Sequence, residues 1–127
     1  MARIAVDAMG GDRGPEAVVE GALAARGHGI EPVVFGAANL DTRGLALVPT
    51  TQVVGMDEKP ADALRTKDDS SLVRAVKAVA DGEADAVVSP GNTGAMLAAG
   101  LVLLRRVPGV RRPAIAVPIP ARKGLPC

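Results

Sequence analysis

Aromatic side chains are almost absent: Phe35 is the one ring among 127 residues, and there is neither Trp nor Tyr. The core must therefore be built from Val, Leu, Ile, Ala and Met, and nucleic-acid recognition that stacks bases on aromatic platforms is disfavoured. The one cysteine, Cys127, is the last residue and cannot close an internal disulfide, in keeping with a reducing compartment. The one histidine, His28, stands between Gly27 and Gly29 with no second His and no nearby Cys, which reads as a turn residue rather than a metal ligand or base. No secretory pattern opens the chain. Its longest uncharged apolar stretch, Gly94 to Leu104, is well short of the ~20 residues that span a bilayer. A buried helix there and a cytoplasmic location are the expectations.

Acidic residues are also missing from one region. None follows Asp85, whereas Arg105, Arg106, Arg111, Arg112, Arg122 and Lys123 do, although the whole chain carries a formal net charge of only +1. Such a basic end has three readings: an ordinary solvated face, a partner for acids on another domain or subunit, or a surface that steers an acidic protein. The length suits about one domain, enough to bury roughly two-thirds of the unfolded surface.

What the chain does have is a stretch around which the rest can be organised, D-A-V-V-S-P-G-N-T-G-A-M from Asp85 to Met96. Ala86 to Ser89 reads as a fully buried strand and Thr93 to Leu104 as a helix, which makes Ser89 to Gly94 the turn between them. The first N–H groups of a helix lack internal partners and carry the positive end of its dipole, so such a turn suits an anion. Gly91 and Gly94 let the backbone approach, and Ser89, Asn92 and Thr93 offer side-chain hydrogen bonds to a phosphate or an oxyanion. The alternative is a plain capped helix, since Asn and Thr are ordinary N-cap residues.

Upstream, Arg3 to Ala8 reads as a strand that runs into a second Gly-rich turn through Asp7, Gly10, Gly11 and Asp12. Pro15 suits the first turn of a helix, in which Val18, Val19, Ala22 and Leu23 share one face and Glu16 and Glu20 the other, up to Arg26 and Gly27. Glu31 to Gly36 is the next strand, Ala37 to Pro49 is ambiguous between short helix and loop, and Thr51 to Val54 resumes a β pattern. Gly55 to Ser71 is dense in charge and lacks a sustained apolar face, which predicts a surface excursion. Within it Arg65 and Lys67 either clamp a phosphate or are solvated charge. Ser70 or Ser71 caps a helix whose stripe is Leu72, Val76, Val79 and Ala80, ended by Gly82. Ala114 to Val117 reads as a last strand. Strands alternating with helices predict an α/β fold with a mainly parallel sheet. In such a sheet the turns after Asp7, Val54 and Ser89 lie on one edge and converge on one crevice.

The residues so singled out fall into three ordered motifs. They are I-A-V-D-A-M-G-G-D with Pro15 and Glu16; M-D-E-K-P with Ala63, Arg65, Lys67, Ser70 and Ser71; and A-D-A-V-V-S-P-G-N-T-G-A, followed by Arg112, Pro113 and Ala114. From Met1 to about Pro120 the chain closely resembles the bacterial phosphate acyltransferases of phospholipid synthesis. It departs from them at Arg13, where His is usual, at Pro90, where Ala is usual, and after Pro120. The resemblance implies a three-layer α/β/α fold of the isocitrate dehydrogenase type, incomplete here because the chain looks like the N-terminal part of a single catalytic domain. It also implies transfer of a long acyl group from acyl carrier protein to inorganic phosphate, without a cofactor. Homodimers in the cytoplasm or at the membrane surface go with that reading, and the fragment alone is expected to be inactive.

The reaction requires a site that holds a phosphate dianion, orients it and stabilises an oxyanion. Asn92, Thr93 and Gly94, with Gly10 and Gly11, are the candidate donors, and Lys67 or Arg65 the candidate neutralising charge. Ser70, Ser71, Ser89 and Gly91 are candidates for substrate binding. Asp7 and Asp12 are candidate orienting groups or bases, or else turn residues. No metal-ligand cluster is visible in the sequence. Two rivals remain: a phosphate acetyltransferase-like enzyme with a small acyl thioester, and a non-catalytic phosphate- or nucleotide-binding module. The G-G-D turn in place of G-x-G-x-x-G counts against a dinucleotide-binding dehydrogenase.

Overall fold

A computed structural model of the chain describes residues 1–120; Arg122, Lys123 and Cys127 lie outside them. Its sheet has four strands, all parallel, in the order β3-β2-β1-β4. Strand β1 (Ala2–Asp7) pairs with β2 (Ile30–Gly36) on one side and with β4 (Ala86–Val88) on the other, and β3 (Ala46–Pro49) lies outside β2. From β1 the chain steps outward through β2 and β3 and then returns to lay β4 on the opposite side of β1. The gap between the ends of β1 and β4 is therefore the point where strand order reverses.

Both faces of the sheet are covered, as a parallel sheet requires. Helix α1 (Pro15–Ala25) starts at its proline, and Val19 and Ala22 pack on Ala8, Val34 and Leu45. Side chains alternate along a strand, so Val33 and Phe35 of β2 face the other way. There they meet Ala75 and Ala78 of α3 (Ser71–Ala80), together with Ala5 of β1. This is a partial three-layer α/β/α arrangement. Ser70 caps α3, its side chain accepting from the Val73 N–H at 3.3 Å. A further apolar cluster joins Leu72, Val73 and Val76 of α3 to Ala63 of α2 (Pro60–Thr66) and to Ala95 and Ala99 of α4 (Thr93–Ala99).

Several expectations are corrected. The third strand is Ala46–Pro49, inside the ambiguous region, and not Thr51 to Val54, where Gln52 alone makes a bridge, to Ser70. The polar groups there turn from the sheet to the loop before α3: the Thr51 N–H and Oγ1 donate to Asp69 Oδ2 at 3.1 and 2.6 Å, and Gln52 Oε1 accepts from the Asp69 N–H at 3.1 Å. The charged excursion contains α2, because Ala63, only 1% exposed, gives it an inward face. Strand β4 is not fully buried: among the described residues it pairs only with β1, and Val88 is 55% exposed. The helix predicted for Thr93 to Leu104 runs the expected length but changes character, from α4 to a π-helical turn at Gly100–Leu104, and its outer face is exposed. On α3, Ala80 lies outside the apolar stripe and is exposed, while Val73, Ala75 and Ala78 are inside it. Ala114 to Val117 forms no strand. Pro113 and Pro118 bracket it with residues that have no N–H to give to a ladder.

Candidate active site

At the carboxyl end of β1, Asp7 is 1% exposed. A carboxylate taken that far from water is tolerated only if donors surround it. Three do. Ser71 Oγ donates to Oδ1 at 2.6 Å, the Met9 N–H donates to Oδ1 at 3.1 Å, and Ser89 Oγ donates to Oδ2 at 2.6 Å. Ser89 Oγ also accepts from the Gly91 N–H at 3.1 Å. One side chain thus ties the turn after β1 to the start of α3 and to the turn after β4. Ser71 and Ser89 are brought to Asp7, while Ser70 caps α3 beside them.

The two turns touch through glycine. A Cβ on Gly10 would lie 2.6 Å from the Gly91 Cα and 2.9 Å from Asp7 Oδ2, contacts that real Cβ atoms do not make. Gly11, at φ +91°, lies in the left-handed region against Pro90, where a side chain is strained whatever the space. Gly94 has a different neighbour from the one its turn suggested: a Cβ there would stand 2.7 Å from Pro60 Cγ, so this glycine lets α2 pack on α4.

The third segment, residues 55–58, is held by Asn92. Its Oδ1 accepts from the Ala95 N–H at 3.0 Å as the N-cap of α4, and its Nδ2 faces the carbonyls of Gly55 (3.0 Å), Met56 (3.3 Å) and Glu58 (3.0 Å). In this geometry the Asn92 amide is engaged by the fold on both sides. Lys67 holds the same loop, since its Nζ donates to the Val53 carbonyl at 2.7 Å and to the Glu58 carboxylate, which also accepts from the Gly55 N–H at 2.9 Å. The Lys67 hydrogen bond, helped by the Gly55 N–H, holds the Glu58 carboxyl below its ordinary pKa.

The predicted convergence of three segments on one edge is therefore present: the turns after β1 and β4 meet at Gly10 and Gly91, and Asn92 joins them to residues 55–58. Two candidates stand apart. Arg65 is on the exposed side of α2, paired at 3.1 Å with Asp62, and Asp12 is exposed in the turn beyond Gly11. Sequence reasoning missed Glu58 as the partner of Lys67 and Pro60 as the neighbour of Gly94. The nine-residue gap between Glu58 and Lys67 matches no helical spacing, so no local pattern pointed to the pair.

Replacing Asp7 with Ala leaves the buried Ser71 hydroxyl and the half-buried Ser89 hydroxyl without their acceptor and is expected to cost at least about 2 kcal/mol of stability. Asp12→Ala should change stability by no more than about 0.5 kcal/mol. Denaturant midpoints compare the two, and equal, small effects would contradict the role given to Asp7. Glu58 generates a pH dependence. Its carboxyl is depressed in the folded state, so the stability it contributes is present above the unfolded-state value and is lost as pH falls through the folded one. Glu58→Gln should therefore flatten the loss of thermal midpoint below about pH 4.5 while lowering the midpoint at neutral pH. Parallel acid profiles for the two proteins would contradict this.

The sequence relatives complete the picture. The chain is 46% identical over 134 residues to a phosphate acyltransferase of Leptospira biflexa, with 97% of this chain and 39% of that protein covered. It is 50% identical over 129 residues to a phosphate acyltransferase of Desulforudis audaxviator (96% and 38% covered) and 45% identical over 130 residues to one from Leuconostoc mesenteroides (96% and 38% covered). It spans less than two-fifths of the length of these relatives, and the shared region contains the whole of the edge described above. A family model described as fatty acid synthesis protein matches residues 2–126, and the chain belongs to that family.

Proposed function

We propose that this chain supplies the phosphate-binding edge of an acyltransferase, as the N-terminal part of a longer catalytic polypeptide that moves an acyl group from acyl carrier protein to inorganic phosphate. The observation that carries the reading is the position of the Asp7 cluster. It ties together the turns after β1 and β4, where strand order reverses, and ligands of open parallel sheets bind at the carboxyl ends of strands at that reversal. The names of the relatives supply the acyl and phosphate chemistry.

In this reading a phosphate oxygen attacks the thioester carbonyl carbon, the C–S bond breaks, and the carrier thiolate leaves and takes up a proton, giving acyl phosphate. Backbone N–H groups of Gly10, Gly11, Thr93 and Gly94 receive the phosphate and the oxyanion, because helix starts and glycine turns present such groups without adding charge. Asn92 serves by holding residues 55–58 against α4. Lys67, fixed by Glu58, supplies the positive field, and Asp12, which stands outside the cluster beyond Gly11, accepts a hydrogen bond from protonated phosphate only at the outer margin of the edge. Asp7, Ser71, Ser89 and Gly91 hold the turns in register, with Ser70 behind them and Arg65 at the rim.

A homodimer working in the cytoplasm or at a membrane surface accompanies this proposal. No helix among the described residues is long and apolar enough to cross a membrane.

The test is an assay of the full-length polypeptide with a long-chain acyl carrier protein and inorganic phosphate, in which acyl phosphate is trapped with hydroxylamine and carrier thiol is counted. Both products should appear in equal amounts and only when phosphate is present. Gly10→Ala, which pushes the two turns apart, should lower kcat/KM about 10²-fold. Thiol release that does not depend on phosphate, or Gly10→Ala turnover equal to that of the unsubstituted enzyme, would contradict the proposal.

A further inference from the structure

Beyond the turn at Thr93 the outer face of α4 and its π-helical extension is not covered by the sheet. Alongside it runs an open groove of ≈470 Å³, within the range of small-ligand sites. One wall is helical, with Met96, Leu97, Leu101 and Leu104; the other is the returning segment around Val110 and Ile115. The π turn positions that second wall. Its last hydrogen bond runs from the Arg105 N–H to the Gly100 carbonyl at 3.0 Å, and Arg105 then takes φ 67°, in the left-handed region, where the chain leaves the helix axis. A widened turn that ends on a non-glycine residue with positive φ is the kind of irregularity that marks functional segments of helices.

Three features identify the occupant. First, the lining is apolar from end to end, and polar groups enter only at Thr93 at one end and at Arg105 and Arg106 at the other. Second, the groove starts at the reaction edge, since Thr93 follows Asn92 directly and is the first residue of α4. Third, from Thr93 to Leu104 it extends about 16 Å at 1.5 Å per residue, far longer than an acetyl group and suited to an extended hydrocarbon chain. We propose that this groove binds the fatty-acyl chain of the substrate, with the thioester carbonyl at the Thr93 end and the chain running along α4 toward Leu104. The proposal rests on the acyl-transfer reading above and adds to it the residues that select chain length.

Gly100 is the position from which to test it. It lines the groove midway, has ordinary helical backbone angles, and a Cβ built on it would meet nothing within 4 Å. A side chain there enters the groove without a clash in the core, and leaving glycine favours the helix. The experiment compares palmitoyl and butyryl thioesters as donors to phosphate in the full-length enzyme and in Gly100→Ala and Gly100→Leu. The ratio of palmitoyl to butyryl kcat/KM should fall with side-chain size, by about 10-fold or more for Leu, the scale on which hydrophobic pockets discriminate chain lengths. The Ala variant gives the same readout if Leu does not accumulate as folded protein. An unchanged ratio overturns the proposal while leaving acyl transfer to phosphate intact. Equal losses with both donors together with a lowered thermal midpoint also overturn it, because they assign the groove to another stretch of polypeptide or to a second copy of the chain. If the unsubstituted enzyme transfers neither acyl group, the acyl-transfer reading fails and this proposal falls with it.

Discussion

The rest of this edge depends on one buried carboxylate. Removing Asp7 from water is costly, and the cost is offset only because two serine hydroxyls and a backbone N–H from three different segments are directed at its two oxygens. Each of those donors is thereby fixed. The residues that form Asp7's surroundings come from positions 9, 71 and 89 of the chain, so the same hydrogen bonds that solvate the charge also set the register of β1, α3 and β4 at their functional ends. A neutral side chain of the same size would not require this convergence.

Close backbone approach follows from that tie. With Ser89 bonded to Asp7, the turns that follow them lie so close that a Cβ on Gly10 would collide with Gly91, while one on Gly91 would be tight against Ser89 and Asp7. The third segment is added by different means: Asn92 turns its amide toward three carbonyls of residues 55–58 while capping α4, and the Lys67–Glu58 pair fixes that loop from the other side. Asn92 is therefore a bracket between helix and loop in this geometry.

Much of this was legible in the sequence because its periodicities are local. The stripe of Val19 and Ala22, the Pro15 start, the Ser70 cap and the Gly-rich turns after β1 and β4 all declare themselves within a few residues, and the parallel sheet follows from their alternation. Features decided by distant partners were not legible. The third strand ended at Pro49 because Thr51 and Gln52 are drawn to Asp69, and α2 formed because Ala63 finds α4. Neither partner is visible from within its own segment. Val88 read as buried because it lies in an apolar run, yet it is exposed on a strand that, among the described residues, pairs only with β1. At the site, the glycines were recognised but their reasons differed: Gly10 and Gly91 admit each other, Gly94 admits Pro60. Glu58 stood inside the M-D-E-K-P motif, but nothing in its local spacing paired it with Lys67.

The central claim is that the turns after β1 and β4 form one anion site. The most direct test follows the backbone amide resonances of the full-length polypeptide during titration with inorganic phosphate. The account predicts that the amides of Gly10, Gly11, Thr93 and Gly94 move together with a single dissociation constant, and that Asp7→Ala abolishes their common response. Shifts confined to the exposed cations, such as Arg65 and Arg111, with the glycine turns unmoved, would contradict it.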